Sequence, residues 1–168
     1  MLVCVEGNVA SGKSTLLESL RAGGATVVCE PLAAWAPFLS KSGDRSLFQC
    51  VALAWYVIVA RKYMDSDEVV YVERSPASCE LVFAPDVSFA SPPLQQCHAR
   101  LLSLLRQIFR PSLYVVLMTS PGVCFDRLSA RCAAGDGHLS LPDLQRFHAR
   151  HWQLVWDLRL SGALCALI

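Results

Sequence analysis

The chain has 168 residues, of which 54% are hydrophobic and 17% are charged. This length is typical of one domain and the apolar fraction is enough to form a complete core, so we predict a single domain over residues 1–168. The formal net charge is +1, and the longest basic run is the pair Arg61-Lys62. Because a surface that follows nucleic-acid phosphates needs clustered basic residues, this composition argues against nucleic-acid binding.

The longest strongly apolar stretch, residues 50–60, has eleven residues, whereas a membrane-spanning helix needs about 20. The eight cysteines include no C-x-x-C pair, so the usual zinc spacings are missing. The first apolar strand begins beside Met1, without a preceding signal peptide or mitochondrial leader. We therefore expect a cytoplasmic protein whose cysteines are buried free thiols.

Short apolar runs alternate with longer segments of helical periodicity. In chain order, the predicted elements are strand 2–5, helix 14–22, strand 25–29, helix 46–63, strand 68–74, helix 94–109, strand 112–119, a helix from Pro121, helix 142–158 and strand 163–168. In helix 94–109 we expect Leu101, Leu104, Leu105 and Ile108 to share one face. Strands that are apolar on both faces and alternate with helices predict an α/β fold, with about five parallel strands covered by helices on both faces.

The first strand leads into a segment that matches the P-loop pattern G-x-x-x-x-G-K-[ST], namely Gly7-Asn8-Val9-Ala10-Ser11-Gly12-Lys13-Ser14. In a P-loop, backbone N–H groups and the helix N-terminus face the phosphates of a nucleoside triphosphate. Lys13 supplies a cation for the phosphates and Ser14 a hydroxyl for Mg²⁺, and we count the adjoining Thr15 as phosphate-binding. The alternative, a chance match in a glycine-rich turn, is disfavoured by the predicted strand–loop–helix context.

A P-loop alone does not select a function. A GTPase would need an N-K-x-D element after a later strand, where this chain reads LMTSPGVC. An AAA-type ATPase would need an acidic pair at the end of an apolar strand, where VVYVER has one acid followed by arginine. These differences favour phosphoryl transfer to a small molecule.

Two carboxylates follow predicted strands. Glu30 comes after strand 25–29, and Glu73 ends strand 68–74 beside Arg74. Ligands of parallel α/β sheets bind at the carboxyl ends of strands. A kinase acting on a hydroxyl needs a carboxylate to accept the proton and cations to hold the phosphoryl group. Either acid alone is equally compatible with helix capping, but together with the P-loop they indicate a catalytic site.

Six segments, in this order, resemble the deoxyribonucleoside kinase family: VEGNVASGKSTLL, EPLAAW, LFQ, VERSPAS followed by VFA, YVVLMTSPGVCFDRLSAR and LQRFHARHW. That family contains deoxycytidine, deoxyguanosine and mitochondrial thymidine kinases, with herpesviral thymidine kinases as relatives. The similarity extends from Leu2 to about Trp152. It implies a P-loop kinase fold, transfer of phosphate from ATP with Mg²⁺ to a deoxynucleoside 5′-hydroxyl, and a homodimer formed through helix 46–63 or 94–109.

The resemblance also assigns roles to residues. Glu30 is implied as the general base, Arg74 as the group that steadies the hydroxyl and the phosphoryl oxygens, and Glu73 as a holder of the magnesium shell, partly through water. Gln49 is implied to make paired hydrogen bonds to the base. The alternative for Gln49, a solvated position on its helix, is disfavoured by its apolar neighbours.

Two further groups have implied roles at the walls and the lid of the site. Trp35 and Phe83 resemble the aromatic walls of the base pocket, with a purely core role as the alternative. Arg127 and Arg131 lie four residues apart, in the segment that resembles the family's lid, and are implied to clamp the phosphates of ATP. A salt-bridged surface helix is the alternative, although Asp126 alone does not pair both arginines.

Four positions depart from the family's pattern. A third lid arginine is replaced by Ala133, and the acid for the sugar 3′-hydroxyl is represented by Asp136 rather than glutamate. The arginine expected seven residues after Gln49 is Tyr56, and the aspartate of the deoxycytidine kinase branch is Cys79. A less polar wall leaves room for a methyl group and favours pyrimidines, including thymidine. No tyrosine for the sugar is found, and the compact chain suggests a viral member.

Two alternatives stay open. A nucleoside monophosphate kinase would need further arginines on the acceptor side, where residues 30–56 hold only Arg45. A non-catalytic nucleotide-binding paralogue is compatible with Ala133 and the absent sugar tyrosine. Against that second alternative stands the joint presence of the residues on which transfer depends: Lys13, Ser14, Glu30, Glu73 and Arg74.

Overall fold

The computed structural model describes residues 1–39, 43–131 and 139–168. The strands are β1 Leu2–Gly7, β2 Thr26–Val28, β3 Val70–Glu73, β4 Leu113–Leu117 and β5 Cys165–Leu167. The helices are α1 Lys13–Ala22, α2 Leu32–Leu39, α3 Arg45–Tyr63, α4 Pro76–Ser78, α5 Pro92–Ile108, α6 Pro121–Arg131 and α7 Leu141–Leu160. After α4 the chain continues as a π-helical turn, Cys79–Phe83, and a 3₁₀ turn, Ala84–Asp86.

The five strands form one parallel sheet in the order β2-β3-β1-β4-β5. The predicted α/β fold is confirmed, and β1 lies at the centre with all six residues buried. Val5 pairs with Glu73 on one side, and Gly7 pairs with Leu117 on the other. Strands β3 and β4, which both follow β1 in the chain, thus lie on opposite sides of it, and this opens a crevice at the carboxyl end of β1 where ligands of such sheets bind.

Helices cover both faces of the central strand. Leu2 and Cys4 pack into an apolar cluster with Leu53 and Tyr56 of α3 and Leu105 of α5. Since successive strand residues point to opposite faces, Val3 and Val5 face the other way, and they too are at most 2% exposed. A second apolar cluster joins α6 to α7 through Cys124, Leu128, Leu144 and Leu154.

Helix boundaries follow local capping signals. Helix α3 begins after Asp44, whose carboxylate accepts from the backbone N–H groups of Ser46 and Leu47 at 2.9 and 3.0 Å. Helix α7 begins after Ser140 with a reciprocal capping box to Asp143. Such caps satisfy N–H groups that have no partner within the helix. Among the described residues, no helix has the length and apolarity that crossing a membrane requires.

Three predictions from the sequence need correction. The buried face of α5 contains His98, Leu102 and Leu105, whereas Leu104 is exposed because it lies about 100° around the helix from Leu105. The sequence predicted no helix over Leu32–Leu39, where Pro37 is accommodated inside α2. Strand β5 lies at the sheet edge and is largely exposed rather than buried.

The cysteines are less uniformly buried than predicted. Cys4, Cys50, Cys79 and Cys124 are buried thiols, but Cys29 and Cys165 are half-buried and Cys97 is exposed. Cys29 follows the edge strand β2, Cys165 lies in the edge strand β5, and Cys97 is on the outer surface of α5. Cys132 lies outside the described residues.

Candidate active site

A cavity of ≈ 1030 Å³ opens at the carboxyl edge of the sheet. Its volume is at the upper end of the range for small-molecule sites, roughly 300–1,000 Å³, and so has room for a nucleoside together with a donor phosphate chain. The predicted site residues that line it are Val9, Ala10, Ser11, Gly12, Lys13, Ser14, Thr15, Glu30, Trp35, Gln49, Glu73, Arg74, Cys79, Phe83, Arg127 and Arg131. The fold therefore brings the P-loop and the predicted acceptor residues to one cavity.

Two predicted phosphate-binding residues, Gly7 and Asn8, shape the P-loop without lining the cavity. Gly7 has φ +140°, and a Cβ there would lie 2.6 Å from the Leu117 carbonyl oxygen. The Asn8 side chain donates to the Leu144 carbonyl at 2.8 Å, which ties the loop to α7. Gly12 caps α1 with φ +105°, a left-handed conformation that favours glycine. Strand, loop and helix are thus held in the predicted order.

Lys13 is 4% exposed at the start of α1. Its ammonium donates to the carbonyls of Gly7 and Asn8 at 3.0 and 2.7 Å. Burial, with the nearby positive charge of Arg74, lowers the pKa of Lys13 to about 7. A bound triphosphate would offer the ammonium the negative charge that two neutral carbonyls do not, so Lys13 is placed to bind phosphate.

A buried ion pair lies opposite the P-loop. Arg74 Nε is 3.3 Å from Glu30 Oε2, and the two side chains are 9% and 11% exposed. Arg74 Nη1 also donates to the Gly7 carbonyl at 2.8 Å, and the guanidinium lies 4.7 Å from the centre of the Phe83 ring. Glu73 accepts from the backbone N–H of Glu30 at 3.3 Å. Strands β2 and β3 therefore bring together the two carboxylates and the arginine that the sequence singled out.

The Glu30 carboxylate is suited to accept a proton near neutral pH. Burial raises its pKa to about 7, the Arg74 guanidinium opposes that rise, and the negative charge of Glu73 adds to it. A general base is most effective when its pKa lies close to the working pH. The residue that the sequence identified as the base thus has a suitable environment.

The pKa of Glu30 predicts how the rate depends on pH. With saturating ATP, which keeps Lys13 protonated, kcat/KM for the nucleoside should fall as pH decreases through about 7, because only the ionised carboxylate accepts a proton. Initial rates of nucleoside phosphorylation at constant ionic strength measure this profile. A rate independent of pH on both sides of that value would contradict the role of Glu30 as base.

The predicted metal ligands suit magnesium. Ser14 is exposed in the first turn of α1, Glu73 is 6% exposed, and both line the cavity. Mg²⁺ prefers oxygen ligands and is usually held by one or two protein groups together with substrate phosphates and water. A hydroxyl and a carboxylate beside a phosphate loop meet that requirement. In residues 1–39, 43–131 and 139–168 there is no cluster of three or more His, Cys, Asp or Glu side chains that would hold a metal by itself.

The predicted base-binding residues form the far wall. Gln49 is 4% exposed, and its Oε1 has no hydrogen-bond partner among the described residues, so the solvated alternative is excluded. Buried polar atoms are normally paired, which leaves Gln49 as an acceptor for a ligand. Trp35 lines the cavity and also packs edge-on against Phe48 and Trp55, with ring centres 5.4 and 5.6 Å apart. Trp35 therefore lines the cavity and belongs to the apolar core at the same time.

Tyr56 and Cys79, which replace charged residues of the family pattern, have different positions. Cys79 is 6% exposed and lines the cavity, and burial raises the pKa of its thiol far above the usual range, so it is neutral. Tyr56 is not among the lining residues, because its hydroxyl donates to the Glu73 carbonyl at 3.2 Å. The residue that replaces the family's arginine is therefore turned away from the base pocket. Ala52 lines the wall one turn before it.

The two predicted lid arginines border the same cavity. Arg127 Nη1 donates to the Ser11 carbonyl of the P-loop at 3.3 Å, and Arg131 lines the cavity from the last turn of α6. Cations at this position face the place where phosphate charge develops in a transfer. The predicted sugar-binding Asp136, like Ala133, lies outside the described residues.

One buried acid was missed in the sequence. Glu6 is 0% exposed and accepts from the Ser75 hydroxyl at 2.5 Å. The sequence signal was a glutamate inside the apolar run VCVEG, just before the P-loop. Because the motif that follows gives this residue no direct contact with phosphate, no role was predicted for it.

A P-loop between a central parallel strand and a helix, a carboxylate–arginine pair facing it across one cavity, and arginines on a third side define a P-loop phosphotransferase for small molecules. The comparisons with known proteins identify its family. The model of the family described as "Deoxynucleoside kinase" matches residues 3–166. The chain belongs to this family of kinases, as its motifs indicated, and the family implies ATP as phosphate donor.

Curated relatives include viral and mitochondrial enzymes. "Thymidine kinase" of Ictalurid herpesvirus 1 (strain Auburn) is 30% identical over 90% of this chain and 72% of its own length. "Thymidine kinase 2, mitochondrial" of Macaca fascicularis is 28% identical over 89% of this chain and 62% of its own length. "Probable deoxycytidine kinase" of fowlpox virus is 24% identical over 89% of this chain and 69% of its own length. The chain thus spans about two thirds of the length of these relatives.

Solved structures share the fold. Deoxyadenosine kinase from M. mycoides, determined with bound dATP, superposes with a TM-score of 0.75 at 12% identity, covering 100% of this chain and 90% of that chain. A second structure of that enzyme, which holds dCMP and dCDP, gives the same values. At this identity the likeness confirms the P-loop kinase fold.

Proposed function

We propose that this protein transfers the γ-phosphoryl group of ATP to the 5′-hydroxyl of a pyrimidine deoxynucleoside, thymidine or deoxycytidine, with Mg²⁺. The observation that carries the proposal is the Glu30–Arg74 pair, 3.3 Å apart, in the cavity that the P-loop lines from the other side. A carboxylate that pairs with arginine beside a phosphate loop is equipped to accept a proton from a hydroxyl while the cation stabilises the transferred group.

The residues support an in-line transfer. Backbone N–H groups of the P-loop and the Lys13 ammonium bind the β- and γ-phosphates. Glu30 accepts the 5′-hydroxyl proton as that oxygen bonds to the γ-phosphorus, and the bond from this phosphorus to the β,γ-bridging oxygen breaks to release ADP. Arg74, Arg127 and Arg131 stabilise the negative charge on the transferred group. Magnesium held near Ser14 and Glu73 would neutralise further phosphate charge.

The pyrimidine preference is supported by the far wall. Gln49 offers a buried amide whose oxygen has no hydrogen-bond partner in the described part of the chain, and Trp35 and Phe83 offer apolar surface for the rings. Next to them, Cys79 and Ala52 present small uncharged side chains to the cavity, which leaves room for the methyl group of thymine. The relatives are named as thymidine and deoxycytidine kinases, which agrees with a pyrimidine acceptor.

A panel of nucleosides with ATP and Mg²⁺, read out as 5′-monophosphate by chromatography, tests the proposal. Thymidine or deoxycytidine should give product, with ADP formed in equal amount. Product from no deoxynucleoside would refute the proposal and favour a non-catalytic paralogue. Turnover of monophosphates instead would favour a nucleoside monophosphate kinase, in which Arg45 at the edge of the cavity would be a candidate for the acceptor phosphate.

Cys79→Asp should lower the use of thymidine relative to deoxycytidine. A carboxylate at this buried wall position takes space beside the base and adds an acceptor that the exocyclic amine of cytosine satisfies and the thymine carbonyl does not. The ratio of kcat/KM for the two nucleosides measures the effect. Cys79→Ser, similar in size and neutral, is the matched control and should keep the ratio. An unchanged ratio in Cys79→Asp would refute this account of the pocket.

A homodimer, a cytoplasmic location and the absence of nucleic-acid binding remain proposals. The dimer is supported by exposed apolar side chains on α3 and α5, the two helices proposed for it: Leu47 is 38%, Ile58 65% and Leu104 37% exposed. A second copy of the chain would remove this surface from water. Sedimentation equilibrium of the wild type and of Ile58→Glu distinguishes a dimer through this surface from a monomer.

A further inference from the structure

Arg74 has an unusual backbone conformation. Its φ is +63°, in the left-handed region that residues with a side chain rarely adopt. Such a conformation persists only where surrounding contacts hold it, and it is found mostly at functional sites. Because the conformation sets the direction of the Arg74 side chain toward Glu30, the contacts that hold it bear on catalysis.

Hydrogen bonds fix the peptide groups on both sides of Arg74. Its backbone N–H donates to the Val5 carbonyl at 2.9 Å, and the Tyr56 hydroxyl donates to the carbonyl of Glu73 at 3.2 Å. On the following residue, the Ser75 hydroxyl donates to Glu6 Oε1 at 2.5 Å. Glu6 and Ser75 are both 0% exposed, so water cannot replace this bond.

Glu6 has a second oxygen, Oε2, without a hydrogen-bond partner of normal geometry among the described residues. Burial raises the pKa of this carboxyl, and the hydroxyls of Ser75 and Ser78 oppose that rise. A buried carboxylate with an unpaired oxygen is unfavourable for folding, and an apolar residue at this place in β1 would avoid that cost. Stability alone therefore does not explain a glutamate here. Its contact with the residue after Arg74 indicates a function in the site.

The location of Glu6 in the chain connects it to both cations of the site. The next residue, Gly7, has a carbonyl that accepts from Lys13 Nζ at 3.0 Å and from Arg74 Nη1 at 2.8 Å. The bond from Glu6 to Ser75 therefore joins the residue that precedes this carbonyl group to the residue that follows Arg74. The pairing of β1 with β3 and the bond from the Arg74 N–H to the Val5 carbonyl hold the strands themselves, so loss of the Glu6–Ser75 bond would free the residue after Arg74 rather than the strands.

We propose that Glu6 is a positioning residue for phosphoryl transfer, which acts through the Ser75 hydroxyl to hold Arg74 in its left-handed conformation and so directs the guanidinium at Glu30 and the transferred group. The inference rests on the proposed kinase reaction. It concerns the rate of transfer rather than the binding of either substrate, since neither Glu6 nor Ser75 lines the cavity.

Three variants test the proposal, with kcat, KM for both substrates and the unfolding temperature measured for each. Glu6→Ala and Ser75→Ala each remove the bond and should lower kcat by about 10–100-fold, with KM for ATP and nucleoside changed less than about threefold. Glu6→Gln keeps an acceptor oxygen for Ser75 and should retain kcat within about fivefold. The double variant should be no slower than the slower single variant, because both act on one bond.

Two further measurements separate positioning from a general loss of stability. Val59→Ala removes a buried side chain of α3 that does not line the cavity, and it should lower the unfolding temperature while leaving kcat unchanged. In an Arg74→Ala background, Glu6→Ala should have little further effect on the residual rate. The proposal is wrong if Glu6→Ala lowers the rate by the same factor in the wild-type and the Arg74→Ala backgrounds. It is also wrong if Glu6→Ala and Ser75→Ala both keep the kcat of the wild type.

Failure of this proposal is distinguishable from failure of the proposed function. A wild-type protein that phosphorylates no nucleoside contradicts the kinase proposal itself. A wild-type protein that turns over normally, with variants of Glu6 and Ser75 that do so equally well, contradicts only the positioning role. If Glu6→Ala does not fold, Ser75→Ala and Glu6→Gln still test the positioning role. A wild-type kcat in Ser75→Ala refutes the role, and a fall in its kcat with unchanged KM supports it.

Discussion

Glu30→Gln should lower kcat by roughly 10²–10⁴-fold. The amide has nearly the same shape as the carboxylate but does not accept the proton of the 5′-hydroxyl at neutral pH. The affinity for ATP should change little, because Glu30 belongs to the acceptor side and its closest charged partner is Arg74. Single-turnover rates with saturating substrates measure the chemical step directly.

The acidic limb of the pH profile should disappear in the same variant. The group whose pKa is raised to about 7 is absent in Glu30→Gln, so the small residual rate should no longer fall as that carboxylate protonates. Glu18→Gln, at an exposed position on α1, is the control and should keep both rate and profile. A Glu30→Gln enzyme that retains kcat within a few-fold would show that Glu30 is only structural.

Gly7→Ala should reduce both stability and ATP binding. The residue has φ +140°, and an added Cβ would lie 2.6 Å from the Leu117 carbonyl oxygen, 2.8 Å from the Ser11 hydroxyl and 3.2 Å from Leu117 Cβ. Since the nearest of these atoms is backbone in the adjacent central strand β4, it cannot move aside without disturbing the sheet. We expect a loss of about 3 kcal/mol or more in the free energy of unfolding, from strain and overlap together.

ATP affinity should fall at least about tenfold in Gly7→Ala, because the shift required at Gly7 displaces the carbonyl that holds Lys13 and the loop that binds phosphate. Urea unfolding and calorimetric titration with ATP measure the two effects. Gly24→Ala is the matched control: Gly24 has φ +90°, but no atom of residues 1–39, 43–131 or 139–168 lies within 4 Å of its added Cβ. Gly24→Ala should lose about 1–2 kcal/mol in the free energy of unfolding from backbone strain alone, and it should bind ATP normally. Equal losses in the two variants would contradict the overlap at Gly7.

The sequence predicted the donor side of the site well because local rules determine it. A central apolar strand, two glycines at turn positions and a lysine at the start of a helix specify a P-loop within a few neighbouring residues. Glu30 and Arg74 were also predictable, since parallel strands place their carboxyl ends at one edge. Contacts between segments that are distant in the sequence were not predictable. The bond between Glu6 and Ser75 joins residues 69 positions apart, and no local pattern indicates it.

The acceptor side was predicted less well for the same reason. The motif gives the spacing between Gln49 and Tyr56, but the direction of the Tyr56 side chain depends on its hydrogen bond to the Glu73 carbonyl at the end of strand β3. Helix α2 was missed because Pro31 and Pro37 indicate a turn, whereas Pro31 precedes the helix and Pro37 is tolerated within it. The sugar-binding role of Asp136 stays a prediction.

The carbonyl of Gly7 accepts from Lys13 and from Arg74 at once, and Lys13 belongs to the donor side while Arg74 belongs to the acceptor side. If ATP draws the Lys13 ammonium to its phosphates, Arg74 keeps its bond to that oxygen without competition from Lys13. Through this shared acceptor, binding of one substrate would change the binding free energy of the other, even without contact between them. By reciprocity, the factor by which ATP changes the affinity for the nucleoside equals the factor by which the nucleoside changes the affinity for ATP.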